Sequence, residues 1–401
     1  MTKAAFIVRN KFQLRQFDAL ADAFPGSDFL LYDRRGLHLE FSPDELEHQK
    51  LPVKLFKRPN ISEQTGQYDV IFFQTLFPGI ELLSEPPLVS VQYGLAKERH
   101  NYGEWRALAD LNLMYGDYSV RQVAHFSPAV AVGNLKFCGW RYRLSQTEKQ
   151  QAKLKLQLNP EKPVLLYMPT YGELGSFHEL IEPLAKLNER YQVVIKGHHN
   201  DEMSGPKWMD IARALGVSSL YSGGADQRLL LEASDLVISD FSGAVFDAIY
   251  AEIPVILFQT RAEDRVGRQK FDLTSLEYRE RERLGRVCQS VGELERAVEQ
   301  VLASPTEYVA RSAELRSELF VDVSDADDAS MRVKDVVSRV ISGDSPHVTK
   351  PQTFVRESIV RLLYAEQELR RARRRNIFTT LKSWATSVGG YLFARLTPRH
   401  N

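Results

Sequence analysis

Short runs of consecutive apolar residues alternate along this chain with stretches in which apolar side chains recur every three or four positions. A first set of β-rich runs stands at Ala4 to Val8, Phe29 to Tyr32, Val53 to Phe56, Val70 to Gln74, Leu88 to Gln92, Leu111 to Tyr115 and Ala129 to Val132. A second set follows at Val164 to Met168, Val193 to Lys196, Ser218 to Tyr221, Leu236 to Ser239 and Val255 to Phe258. Strands exposed on one face alternate apolar with polar residues; these are mostly continuous Val, Ile and Leu, the pattern of strands covered on both faces. With helical stretches between them they predict an α/β fold of two doubly wound parallel sheets. A polar helix from about Ser145 to Leu158, ended by Asn159-Pro160, separates the sets, so the expected units are residues 1–145 and 159–342. Ser342 to Pro351, with Gly343 and two prolines, reads as a linker to a tail at 352–401. Ligands of open α/β sheets lie beyond the carboxyl ends of the strands, so two such halves place a site in the cleft between them.

The chain has 401 residues, 43% hydrophobic and 26% charged, which excludes a disordered or fibrous protein. Basic and acidic side chains number 52 each, so a uniformly basic nucleic-acid binder is excluded too. The balance is uneven: residues 356–401 carry ten basic against three acidic side chains, about +7, and the rest of the chain is correspondingly acidic. Cys138 and Cys288 show neither disulfide nor metal spacing and read as neutral thiols in a reducing compartment. Ala4 to Val8 is followed by no cleavage-type site, and no uncharged apolar run approaches the roughly 20 residues of a spanning helix. The expected location is the cytoplasm, peripheral on the inner face of the membrane.

Candidate chemistry gathers at strand ends. After Leu236 to Ser239 comes Asp240-Phe241-Ser242-Gly243 and then a helix, so Ser242 can cap it and Gly243 can let a phosphate approach the backbone N–H groups. The run Gln192 to Asn200 delivers Lys196, His198 and His199, a cation and two imidazoles able to neutralise a diphosphate or protonate a leaving group. Pro163 to Phe177 ends in Thr170-Tyr171 and a loop with Gly172 and Gly175, without the spacing of a dinucleotide fingerprint or a Walker lysine. Val89 to Gly103 carries Tyr93, Gly94, Lys97, Arg99 and His100 toward the cleft, with His100 a candidate base. Each segment has a plainer reading, as a helix cap, a surface histidine or a solvated loop. Asp325, Asp327 and Asp328 suit a helix cap better than a metal, and HExxH and CxxC are absent, so neither a metal nor another cofactor is expected.

Taken in order, Pro169-Thr170, Ile195 to His198, Asp226 to Asp247, Ile253 to Phe258 and Asp327 to Val336 resemble the CDP-glycerol glycerophosphotransferase family of teichoic acid and capsule polymerases, and Leu113 to Phe137 is similar to the bridge between its halves. The resemblance implies a GT-B architecture, two Rossmann-like halves around a cleft. It also implies a donor site with Ser242 and Gly243 at the pyrophosphate, Lys196 and His198 beside it and Asp247 near the nucleotide ribose, with Thr170 and Asp240 also among the donor-binding residues. Two departures stand out: Gly243 occupies the place of the family's second serine, and Tyr93-Gly94 stands where the family presents His-Gly. A tyrosine of ordinary pKa near 10 is a poor base at neutral pH, so Tyr93, if it acts, must be strongly perturbed, or His100 takes the role.

The tail shows two apolar stripes, Val355 to Leu369 and Ile377 to Leu392, on either side of Arg370 to Arg375. Arg371, Arg374, Arg375 and Trp384 make it a basic amphipathic helical tail suited to an anionic bilayer; packing on the protein's own first half and RNA binding are the alternatives. The expected function is transfer of glycerol or ribitol phosphate from a CDP-activated donor to a hydroxyl of a lipid-linked or polysaccharide acceptor. A GT-B glycosyltransferase using a nucleotide sugar and a non-catalytic nucleotide-binding subunit are the rivals.

Overall fold

The computed structural model of the chain describes residues 2–198, 201, 208–223, 225–321, 329–344 and 346–396, with only the backbone described at 270, 374 and 376–396. His199, Asp325, Asp327 and Asp328 lie outside the described residues.

Seven parallel strands build the first sheet: β1 (Ala4–Val8), β2 (Asp28–Tyr32), β3 (Val53–Phe56), β4 (Val70–Phe73), β5 (Leu88–Val91), β6 (Leu111–Met114) and β7 (Ala129–Ala131), in the order β3-β2-β1-β4-β5-β6-β7. Six build the second: β8 (Val164–Tyr167), β9 (Gln192–Lys196), β10 (Ser219–Tyr221), β11 (Leu236–Ser239), β12 (Val255–Phe258) and β13 (Arg286–Cys288), in the order β10-β9-β8-β11-β12-β13. Each sheet reverses its winding once, between β1 and β4 and between β8 and β11. The continuous apolar runs have the expected cause: on β1, Ala4, Phe6 and Val8 enter one buried cluster while Ala5 and Ile7 enter another on the opposite face. On β8, Val164 and Leu166 face one cluster and Leu165 and Tyr167 the other. β13 is a strand that the pattern did not announce, three residues with an arginine at the first.

Along one side the halves are joined by a shared apolar seam. Phe137 stacks on Tyr250 at 5.1 Å, Tyr250 meets Phe320 edge-on at 5.0 Å, and Tyr115 lies over Phe320 at 6.1 Å. The chain then returns to the first half: Val321 N–H donates to the Tyr115 carbonyl, and Ala329, Val333, Val337 and Val340 of helix Ala329–Ile341 pack in the cluster that holds Phe6 and Phe72.

The tail is a single helix, Lys350–Leu396, rather than two stretches. Its first turns lie on the first half, with Ile359, Val360 and Leu363 against the cluster of Ile80, Leu83, Trp105 and Leu108. Arg356 pairs with Asp110, and Gln367 and Arg58 converge on Glu81. The inner face of the first stripe is therefore used inside the protein, while Leu362 and Leu369 remain exposed. Among the described residues no helix is long and apolar enough to cross a membrane.

Candidate active site

β8 and β11 are neighbours, and the two loops that leave their carboxyl ends are locked together by one buried carboxylate. Asp240 Oδ1 accepts from Thr170 N (2.9 Å), Thr170 Oγ1 (2.7 Å) and Phe241 N (2.7 Å), and Oδ2 accepts from Ser176 N and Oγ, each at 2.8 Å. Asp240 was expected at the donor; with five donors already on its two oxygens it is the buckle of the loops instead. Gly175 is needed in this fastening because a Cβ there would fall 2.0 Å from the Thr170 carbonyl oxygen.

Beside the buckle lies a cavity of about 490 Å³ shared by both halves. Lys97, Arg99 and His100 line it from the first half; Thr170, Tyr171, Phe241, Glu277 and Tyr278 are among its residues from the second. Phe241 stacks face to face on Tyr278 at 4.1 Å, and the Arg281 guanidinium covers the Phe241 ring at 4.4 Å. Tyr171 stands between the halves, its ring 4.9 Å from the Lys97 ammonium and 4.9 Å from the His198 imidazole. Three successive N–H groups of the first-half loop close on the second half: Lys97 N to Glu277 Oε1 (2.7 Å), Glu98 N to Ser275 Oγ (2.9 Å) and Arg99 N to Asp272 Oδ2 (3.0 Å).

Electrostatics separate the two base candidates. Burial pushes the Tyr93 phenol up to about 12, which opposes its expected use as a base near neutrality. His100 moves the other way. The surrounding protein, then the charges of Lys97 and Arg106, lower its pKa below the ordinary 6.5, so at neutral pH it is an unprotonated imidazole open to the cleft. Arg106 is fully buried and is held by the Asn101 carbonyl (2.5 Å) and Ser90 Oγ (2.8 Å).

The remaining expected residues divide. His198 reaches the site through Tyr171. Gly197 before it has no room for a side chain, since a Cβ would meet Trp208 at 2.0 Å. Lys196 Nζ donates to the Gly223 carbonyl at 3.0 Å. Ser242 Oγ accepts from Ala244 N at 3.3 Å, while the N-cap position of the helix is Gly243, which is exposed next to Ala96 of the first half. The N–H groups of Ser242 and Gly243 donate to no acceptor among the described residues. Asp247, expected near a ribose, is instead paired across the halves with Lys136 Nζ (2.6 Å) and accepts from Gln227 (2.8 Å). Arg371 pairs with Glu368, Arg375 is exposed, and the side chains of Arg374 and Trp384 lie outside the described residues. Asp272, Glu277 and Tyr278 escaped the sequence reading because they sit in a mixed-charge stretch without a motif, and only the fold brings that stretch over the first-half loop.

Comparison with known proteins now adds to this geometry. Residues 142–339 match the family described as CDP-glycerol:poly(glycerophosphate) glycerophosphotransferase. The matched stretch, just under half of the chain, is similar to that family. It contains the Asp240 buckle, Tyr171, His198 and the aromatic wall. A curated relative, UDP-N-acetylglucosamine--N-acetylmuramyl-(pentapeptide) pyrophosphoryl-undecaprenol N-acetylglucosamine transferase of Thermus thermophilus, is 30% identical over 135 residues, 33% of this chain and 37% of that enzyme. This chain thus spans little more than a third of that relative's length. Among solved structures, the wall teichoic acid polymerase TagF matches with a TM-score of 0.59 at 13% identity, over 86% of this chain and 90% of that chain. Staphylococcus aureus MnaA with UDP matches at 0.56 and 14% identity, over 87% of this chain and all (100%) of the other. Anabaena HepE with UDP and glucose matches at 0.53 and 14%, over 86% and 100%. Likeness at such identities establishes the fold: two Rossmann-like halves in the GT-B arrangement.

Proposed function

We propose that the chain is a transferase that moves a polyol phosphate, glycerol or ribitol phosphate, from a CDP-activated donor to a hydroxyl of a lipid-linked or polysaccharide acceptor in cell-surface polymer synthesis. The observation that carries this reading is the cavity between the halves, lined by Lys97, Arg99 and His100 together with Glu104, Asp272 and Glu277, with stacked aromatic rings on its second-half side, in a segment that matches the glycerophosphotransferase family. Cations suit a diphosphate and aromatic faces suit a pyrimidine. In the reaction the acceptor oxygen attacks the donor's β-phosphorus, a new P–O bond forms, and the bond to CMP breaks. His100, neutral at pH 7, takes the acceptor proton. His198, from the second half, packs against Tyr171 at 4.9 Å and is the group suited to assist departure of CMP. The unpaired N–H groups of Ser242 and Gly243 are the backbone donors available to the donor phosphates.

A second reading has its own support. The match to the Thermus thermophilus N-acetylglucosamine transferase favours a nucleotide-sugar donor, in which attack falls on the anomeric carbon. Incubation of the full chain with CDP-glycerol, CDP-ribitol and a panel of UDP-sugars, together with acceptor extract, separates the two. CMP release with a CDP-polyol is the expected result; turnover of UDP-sugars alone would reject polyol-phosphate transfer, and nucleotide binding without turnover would favour a non-catalytic subunit.

The location that fits is the inner face of the membrane. The exposed Arg375, the neighbouring Arg370, Arg371 and Arg373, and the aromatic-bearing sequence beyond them suit an anionic surface, with the first turns of the helix anchored on the first half.

A further inference from the structure

The donor is expected to be held by the second half, yet the lysine and arginine that line the cavity, Lys97 and Arg99, come from the first. Lys97 adopts a left-handed backbone conformation, φ +57°, which a non-glycine residue holds only when its surroundings impose it. What imposes it is visible: Lys97 N–H is captured by the buried Glu277 carboxylate at 2.7 Å, and the next two N–H groups by Ser275 and Asp272. Three bonds to the opposite half therefore aim one side chain. Its ammonium lies over the Tyr171 ring at 4.9 Å, in the cavity that also holds Thr170 and His100, and makes no ion pair among the described residues. Loss of solvent lowers its pKa, the mark of a cation that an incoming anion would stabilise. The lysine expected in that role, Lys196, donates to the Gly223 carbonyl.

We propose that Lys97 is a ligand of the donor's diphosphate, reaching from the first half across Tyr171 to the nucleotide held by the second, with Glu277 as the residue that positions it. This rests on the reading of the cleft as a nucleoside-diphosphate donor site. It makes the closed arrangement and donor binding one event: the backbone bonds that draw the halves together are the ones that present the cation. A bare nucleoside, which carries no phosphate, gains less from Lys97 than a diphosphate does, because the ammonium is a point charge.

The test uses the full chain and isothermal titration with CDP, UDP and cytidine. Lys97→Met is expected to weaken the nucleoside diphosphate bound by the unchanged protein by about tenfold to a hundredfold, the size of one charge-assisted hydrogen bond, and to leave cytidine affinity unchanged. Lys97→Arg, which keeps the charge, should recover most of the loss, and both variants should melt like the parent. Diphosphate affinity unaltered in Lys97→Met, or cytidine weakened to the same degree, overturns the assignment while the donor site stands. A parent protein that binds neither CDP nor UDP overturns the donor site and this assignment together.

Discussion

Lys136, in the turn after the last strand of the first sheet, donates to the Asp247 carboxylate on the second half at 2.6 Å, with the two side chains only 23% and 15% exposed. A pair so shielded couples the halves more firmly than a surface ion pair does, and its loss strands a partly buried charge. Lys136→Met is expected to destabilise the chain by about 1–3 kcal/mol in urea unfolding, because Asp247 is left with Gln227. Asp247→Asn should cost a similar amount, and the double variant less than the sum of the two. If Asp247 instead serves a ligand's ribose, Asp247→Asn will weaken CDP binding while Lys136→Met leaves it alone.

His100 gives the pH dependence its sign. Its folded pKa lies below the ordinary 6.5 because burial and the Lys97 and Arg106 charges oppose the imidazolium. A base must be unprotonated to act, so kcat/KM should climb with pH along a limb whose midpoint lies below 6.5 and be level through neutrality. His100→Ala should lower kcat by about a hundredfold to ten-thousandfold and abolish that limb, whereas Tyr93→Phe should leave both nearly intact. A limb that survives in His100→Ala would move the base elsewhere.

How far these features could be seen in the sequence depends on whether they are local. Strands such as Ala4–Val8, Val53–Phe56, Leu236–Ser239 and Val255–Phe258 fell at the expected residues, because burial on both faces writes itself into consecutive positions. That β8 and β11 lie side by side, so that the loops after them meet, agrees with the same pattern. Partnerships across the halves were not legible. Nothing around Asp247 announces Lys136, 111 positions away, and nothing in Ser275 to Glu277 announces a contact with Lys97, some 180 positions away. Asp240 misled because a carboxylate at a strand end looks the same whether it faces a ligand or, as here, five internal donors. Helix Ala329–Ile341 is amphipathic by sequence, which says that one face is covered but not that the first half covers it.

Glu277 sets a second pH dependence, in stability. Burial raises its carboxyl from the ordinary 4.5 to about 7, despite the bond from Lys97 N–H. A carboxyl whose folded pKa is raised holds its proton more tightly in the folded state, so the contribution is present at low pH and lost as pH rises through about 7. Glu277→Gln keeps a carbonyl for Lys97 N–H and cannot ionise. Its melting temperature relative to the parent should therefore increase between about pH 4.5 and about pH 7, the ordinary and the raised values, and level off above. A constant difference over that span would mean that Glu277 does not ionise there.

The tail separates anchoring from attachment, and a single deletion confounds them. Residues up to Gln367 hold the helix on the first half: Gln352 donates to the Ala124 carbonyl at 2.8 Å, Arg356 pairs with Asp110, and Tyr364 donates to the Glu81 carbonyl at 3.2 Å. Removing 352–401 uncovers the apolar surface under Ile359, Val360 and Leu363 and should lower stability by several kcal/mol, at about 1.5–3 kcal/mol for each apolar side chain fully buried and less for these partly buried ones. Beyond them, Arg370 and Arg371 pair along the helix, with Glu366 and Glu368. Replacing Arg370, Arg371, Arg373 and Arg375 together by Gln should leave the melting temperature within a degree or so of the parent, since exposed charges contribute about 0–1 kcal/mol each. The same variant should lose sedimentation with phosphatidylglycerol vesicles while the parent retains it, and the parent's binding should fall as salt screens the surface. Equal sedimentation of the two proteins would remove the arginine cluster from membrane attachment and leave the helix as a brace for the first half.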